Sequence, residues 1–406
     1  MNLLLSAYAC RPTMGSEPAV GWSWVLELSK YHHLWVLTNG TNEKDIEEYK
    51  KKNPKQLQNV EFIYIHFNSK YIFWYKEWER FERLYYFLWQ RRALRISQRL
   101  SKQIKFDYVQ HLTYVSFVLP TYLYKLKIPF IYGPISGGEN IPKAIKYPMS
   151  MKDRGIEAVR KLSQSISIQS VRTRRAFKNA KWIIAVTDET RQQIPFQYQE
   201  KVKIVQAIGI NSDFFSPNPQ CESKCKPLKI LMAGRMLYWK GFNLGMEAAV
   251  QALDEGADIQ LTVLGEGEKS IIENLKQMAG EYLNRKIHFI SRVKYEDMKQ
   301  FYDQFGLLLN CSLRDSGCLV VMEGMSRGLP VICVDTGGPK VNTTAECAIK
   351  IEPMAYRELV TKLKEAIIDL YKYPERRTAM SKASYDHAIR YFDIENKVKE
   401  FQKYYE

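Results

Sequence analysis

Leu309-Asn-Cys-Ser-Leu-Arg-Asp-Ser-Gly-Cys-Leu-Val-Val-Met-Glu-Gly-Met-Ser-Arg-Gly-Leu-Pro-Val-Ile-Cys333 reads as a strand, a polar loop, an apolar helix and a second strand. Both strands are apolar on both faces. Strands of that kind, joined through a helix, belong to parallel sheets covered on both sides. The helix is expected to begin near Gly317 or Cys318, with Asp315 and Ser316 where N-caps sit.

The same unit recurs along the chain. Buried strands are expected at Leu3–Ala7, Leu34–Leu37, Val60–Ile65, Tyr108–Gln110, Phe130–Tyr132, Trp182–Val186 and Lys203–Val205. A second set is expected at Lys229–Met232, Ile259–Leu264, Ile287–Ile290, Gly306–Asn310, Val331–Val334 and Ala348–Ile351. Ser212–Pro227 is polar and holds three prolines, so it reads as a linker. The expected organisation is α/β, with two doubly wound domains. Residues 1–210 form the first domain, 211–227 the linker and 228–392 a ligand-binding domain. Ala355–Tyr391 reads as two helices joined near Pro374, and residues 393–406 as a short helix packing back across the linker. Such folds bind ligands at the carboxyl ends of strands, so the cleft between the domains is the expected active site.

Composition narrows the class. The chain has 406 residues and a net charge of +16, and its 46% hydrophobic content excludes a disordered basic tail. Residues 1–210 carry 33 Lys and Arg against 17 Asp and Glu, whereas the remainder carries 27 of each. The whole excess lies in the first half, which suggests two bodies with different surfaces. Seven cysteines, an odd number, fit reduced cytosolic thiols better than a disulfide framework. Cys221 and Cys225 lie closest together, but no further ligands follow at zinc spacing. Met1–Cys10 reads as a buried first strand rather than a lipoprotein signal. No run approaches the roughly 18 apolar residues of a membrane span. The expected location is cytoplasmic, in solution or peripheral on a membrane face.

Two motifs carry chemistry. In Lys229–Gly241 a strand runs into Gly234-Arg235, and Lys240-Gly241 follows. A helix then places Phe242, Met246, Ala249, Val250 and Leu253 on one face. Glycine lets a backbone approach a ligand, and Arg and Lys can hold phosphate oxygens, which makes a diphosphate clamp. The other reading is two surface cations beside a turn. In the second motif, the helix N-terminus formed by Ser316, Gly317, Cys318 and Leu319 suits a diphosphate. Asp315 and Glu323 lie about 12 Å apart along a helix, whereas a hydrolytic pair flanks one bond at roughly 5–9.5 Å. They therefore suit different parts of one extended ligand, or Asp315 is only a cap. Glu323, inside an apolar stretch, needs a partner.

Gly234-Arg235…Lys240-Gly241, then Gly265-Glu-Gly267 after a strand, then Asp315-x7-Glu323 and Gly328-Leu-Pro-Val331, resembles glycosyltransferase family 4. The resemblance spans about 100 residues of the second half. It implies the GT-B fold, with two Rossmann-like domains facing a cleft, and transfer from a nucleotide diphosphate sugar with retention. It implies that Arg235 and Lys240 hold the donor diphosphate, that Glu323 meets the ribose, and that Asp315 meets the sugar. Gly234, Gly265 and the 316–319 turn complete that donor site. The family usually has Glu where this chain has Asp315, a side chain one methylene shorter. In the first half, the loop after strand one offers Gly15 and Ser16 to the donor phosphates and the acceptor; Ser16 also reads as a helix cap. By the same resemblance His111 lies beside the donor sugar, and Glu139 faces the acceptor.

Residues 70–105 carry ten Lys and Arg against three Glu, and residues 71–89 ten aromatics, among them Trp74, Trp78 and Trp89. This segment reads as a surface touching an anionic bilayer, as a docking site for a lipid-linked acceptor, or as a core helix with a solvated basic face. The combined expectation is a hexosyltransferase with a UDP- or GDP-sugar as donor substrate, no separate cofactor and no metal. There is no Asp-x-Asp in the chain, so no such motif supplies a metal to the diphosphate. The acceptor is a saccharide or a lipid-linked group, as in cell-surface polysaccharide or glycolipid synthesis. Alternatives are a non-catalytic scaffold, a basic nucleic-acid or partner binder, and an epimerase or phosphorylase of the same fold. No nucleic-acid motif supports the second of these.

Overall fold

The structure, a computed structural model, describes residues 1–12, 14, 17–67, 82–216 and 227–406. These form two compact units. One holds Met1–Gly138, Ala158–Gly209 and Lys397–Glu406; the other holds Glu139–Glu157 and Ile210–Asn396.

The first unit is built on β1 (Asn2–Ser6), β2 (His33–Asn39), β3 (Val60–Ile65), β4 (Tyr108–His111), β5 (Phe130–Ile135), β6 (Trp182–Ala185) and β7 (Val202–Ile204). Their order is β3-β2-β1-β4-β5-β6-β7, and every described pairing is parallel. The second unit is built on β8 (Leu228–Ala233), β9 (Ile259–Leu264), β10 (Ile287–Ile290), β11 (Leu307–Asn310), β12 (Val331–Val334) and β13 (Ala348–Ile351). Its order, β10-β9-β8-β11-β12-β13, is again all parallel. Each expected strand appears, because each apolar run is covered on both faces. Leu4, Val109, Ile131, Ile230, Leu261 and Ile332 have no exposed surface.

In both sheets the order reverses beside the first strand of the unit, between β1 and β4 and between β8 and β11. Loops leaving the carboxyl ends of those strands are where this topology binds ligands. In the second unit those loops are the two motifs singled out from the sequence.

The helix Tyr356–Lys372 gives way to Pro374–Tyr391 at the expected proline. Lys397–Glu406 packs with the first unit. The Trp24 and Phe401 rings meet edge-on at 4.9 Å, and the buried Tyr405 hydroxyl donates to Gln110. The helix Glu82–Leu100 turns Tyr85, Tyr86, Trp89 and Ala93 into the core and Arg91, Arg92, Arg95 and Arg99 outward. This part of the basic aromatic segment is therefore a core helix with a solvated face. Trp74 and Trp78 lie outside the described residues, as do Cys221 and Cys225. Cys10, Cys311, Cys318, Cys333 and Cys347 are buried free thiols.

Candidate active site

β8 ends at Ala233 and the chain turns at Gly234, whose φ of +138° is closed to most side chains. Nothing lies within 4 Å of where a Cβ would stand. Gly265, after β9, is required for a different reason: a Cβ there would come within 1.9 Å of the Gly234 carbonyl. The two glycines thus leave an open backbone face beside Arg235, which is exposed.

Seventy-five residues later, the loop after β11 is stitched to this turn. Leu313 N–H donates to Trp239 O at 2.8 Å. Gly241, at φ +65°, lets the turn press on the Cys311 carbonyl, which a Cβ would meet at 2.0 Å. Lys240 Nζ forms an ion pair with Asp315 Oδ2. Burial works against the lysine charge, but the Asp315 carboxylate outweighs it, and the Lys240 pKa lies above its ordinary value. Arg235 is near enough to act on Lys240 in the opposite sense. Of the groups expected to hold a donor, Lys240 and Asp315 are directly paired, with Arg235 near them.

The helix on this loop runs Leu319–Ser326. Its N-cap is Cys318, in the left-handed region at φ +51°, rather than Asp315 or Ser316. Asp315 instead accepts the Cys318 N–H through Oδ1 at 3.1 Å. The Asp315 carboxylate thus both caps the turn and answers Lys240. Its backbone carbonyl accepts Gly338 N–H at 2.7 Å, and Asn342 donates to Gly317 O at 2.7 Å. Every part of this turn is held from behind. A non-glycine residue in this conformation carries a cost of order 1–3 kcal/mol and persists only where its surroundings impose it.

Glu323, on the first turns of that helix, is buried and accepts the Tyr302 hydroxyl at 2.8 Å. Burial raises its pKa to about 7, with the Tyr302 hydrogen bond pulling the other way.

One cluster was not read from the sequence. Arg314 pairs with Glu157, which also accepts the Tyr238 hydroxyl at 2.7 Å, and the Arg314 guanidinium lies 4.3 Å from the Trp239 ring centre. This holds the residue before Asp315 against the residues before Lys240. Glu157→Gln keeps an acceptor but loses the charge facing a half-buried arginine. We expect a loss of about 1–2 kcal/mol in unfolding free energy, read by denaturant melts, with weaker donor binding beside it. The same unit holds an open cavity of about 610 Å³ lined by Tyr147, Tyr238, Trp239, Phe242 and Asn243. Arg235, Lys240, Asp315 and Glu323 do not line it.

The remaining candidates fall elsewhere. His111 ends β4 in register with Ser6 of β1, at the switch point of the first sheet. It is fully buried, its Nε2 lies 3.2 Å from Tyr114 O, and burial lowers its pKa to about 4, so the ring is neutral. Its Nδ1 has no hydrogen-bond partner among the described residues. Glu139 is buried and belongs to the second unit. Gly15 and Ser16 lie outside the described residues. Among the described residues no group of three or more His, Cys, Asp or Glu is placed to hold a metal.

Two all-parallel sheets of seven and six strands with helices are the GT-B architecture. The lipopolysaccharide outer core galactosyltransferase WaaB superposes with a TM-score of 0.64 at 14% identity, over 100% of this chain and 99% of that one. Anabaena Alr3699/HepE, solved in complex with UDP, superposes with a TM-score of 0.62 at 14% identity, over 99% and 98%. Residues 218–387 match the family described as "Glycosyl transferases group 1". One subunit of the human phosphatidylinositol N-acetylglucosaminyltransferase is 25% identical over 191 residues, 46% of this chain and 38% of that protein. A GDP-mannose-dependent monoacylated alpha-(1-6)-phosphatidylinositol monomannoside mannosyltransferase of Corynebacterium glutamicum is 26% identical over 160 residues, 38% and 40%. The chain thus spans about two fifths of the length of these two relatives.

Proposed function

We propose that the chain transfers a hexosyl group from a nucleotide diphosphate sugar to a hydroxyl of a saccharide or lipid-linked acceptor. The observation that carries this reading is the convergence of Arg235, Lys240, Asp315 and the Cys318–Leu319 helix start at the switch point of the second sheet. Arg235 and Lys240 neutralise the diphosphate as it leaves, together with the N–H groups of the helix start. Lys240 exchanges Asp315 for a phosphate oxygen, and Asp315 turns to the sugar hydroxyls. Glu323 accepts the ribose hydroxyls. The transfer needs no metal in this scheme, because side-chain cations supply the positive charge.

Retention is proposed to follow from same-face substitution. The glycosidic C–O bond to the leaving phosphate breaks as the acceptor oxygen bonds the anomeric carbon. The leaving phosphate oxygen takes the acceptor proton. The two named relatives act on phosphatidylinositol-based lipids by their names, which favours a lipid-linked acceptor and glycolipid synthesis at a membrane face. Among the described residues no helix is long and apolar enough to cross a membrane. A thermal-shift panel of UDP-, GDP- and ADP-sugars tests the reading, followed by NMR of the product made from the stabilising donor. Stabilisation by one sugar nucleotide and a product with the donor's anomeric configuration are expected. No response to any sugar nucleotide overturns the function, and an inverted linkage overturns the mechanism.

A further inference from the structure

The helix Met151–Gln169 enters the first unit at Ala158, and from there its polarity is reversed. Helical residues at i, i+3 and i+7 share a face. Val159, Leu162 and Ile166 have that spacing, and they are 68%, 61% and 62% exposed. Two polar residues of the same turns, Gln164 and Ser167, face inward. Gln164 is buried and donates to the Gly137 carbonyl, and Ser167 is buried and reaches the Phe117 and Val118 carbonyls at 3.1 Å. These hydrogen bonds anchor the polar side and commit the aliphatic side to solvent. Single exposed aliphatics are ordinary, whereas a stripe of three on a helix with buried polar residues is not.

The surroundings of the stripe are cationic. Lys161 is exposed within it. The next helix, Val171–Asn179, turns Thr173, Ala176 and Phe177 inward and leaves Val171, Arg172, Arg174, Arg175 and Lys178 exposed. Residues 158–179 carry no acidic side chain. A second copy seated on this face would bring the same cations against themselves across a two-fold axis, which like-charge repulsion opposes. A nucleic acid would use the cations but leave the aliphatic stripe in water. An anionic bilayer uses both, because aliphatics enter the acyl boundary and cations meet headgroups.

We propose that Val159, Leu162 and Ile166, with Lys161, Arg174 and Arg175, form a docking surface for an anionic lipid bilayer. It borders the basic aromatic segment at residues 70–105, Arg172 lying 4.7 Å from the Phe87 ring centre, and does not depend on the transfer chemistry. The test is co-sedimentation of the full chain with phosphatidylcholine vesicles and with vesicles also containing phosphatidylglycerol. The wild type is expected to bind the second kind and not the first. The variant V159S/L162S/I166S is expected to lose binding by roughly tenfold or more while melting as the wild type does. The variant K161E/R174E/R175E, which leaves the stripe intact, is expected to lose it as well and covers the case in which the first fails to fold. Binding by either folded variant equal to wild type overturns the proposal. So does a wild type that binds neither vesicle, or a wild-type dimer that the serine variant converts to monomer without any vesicle binding. Donor stabilisation, measured on the same samples, reports separately on the proposed function.

Discussion

Lys240→Ala should lower the rate of hexosyl transfer by about 10²-fold or more, the usual consequence of removing one donor from a site where negative charge develops. Arg235→Ala should act in the same direction. The difficulty with Lys240 is that it also pairs with Asp315, with the two side chains 24% and 14% exposed. Its loss leaves the Asp315 carboxylate with the Cys318 N–H but without its cation, so some of the effect will be structural. Asp315→Asn separates the two. In the double variant K240A/D315N the unpaired charge is gone, so stability should return towards that of D315N alone. Transfer should not return, because Arg235 then meets the leaving diphosphate without Lys240. Restored transfer in the double variant, or an unchanged rate in Lys240→Ala, removes Lys240 from the chemistry.

That pairing is also where the sequence stops being readable. The strands were legible because parallel strands covered on both faces are runs of Val, Ile and Leu, a signal that does not depend on distant partners. Gly234, Arg235, Lys240, Asp315 and Glu323 were legible as candidates because each lies just past a strand or inside an apolar helix where its type is out of place. What joins them was not. Lys240 and Asp315 are 75 positions apart, and Arg314 and Glu157 are 157 apart, so no local periodicity links them. Asp315 and Ser316 are good N-cap types, yet the cap is Cys318. The Asp315 carbonyl is held from behind by the Gly338 N–H after β12, and its carboxylate caps the Cys318 N–H. Similarly, nothing local in residues 158–169 says which face of their helix is turned inward. That is decided by the Gly137, Phe117 and Val118 carbonyls, which need donors and receive them from Gln164 and Ser167.

Glu323 lets stability and binding be set against each other. Its pKa is raised from 4.5 to about 7 by burial, despite the Tyr302 hydrogen bond. The folded chain therefore holds this proton more tightly than the unfolded chain. The stability so contributed is complete below 4.5 and is lost as pH rises to about 7. A shift of this size corresponds to about 3 kcal/mol. Glu323→Gln keeps an acceptor for Tyr302 and has no charge to desolvate. It should unfold at a higher temperature than wild type at about pH 8, and at nearly the same temperature below about pH 4.5. Donor binding should move the other way. A carboxylate accepting hydroxyls outperforms a neutral amide by about tenfold or more in affinity. Wild-type donor affinity should also rise with pH as Glu323 ionises around 7, whereas the variant should be flat. Calorimetric titration of the stabilising sugar nucleotide across that range reads both. A carboxylate that weakens the fold at neutral pH and strengthens donor binding there is explained by its ligand. Unaltered affinity in Glu323→Gln would make it a structural partner of Tyr302 alone.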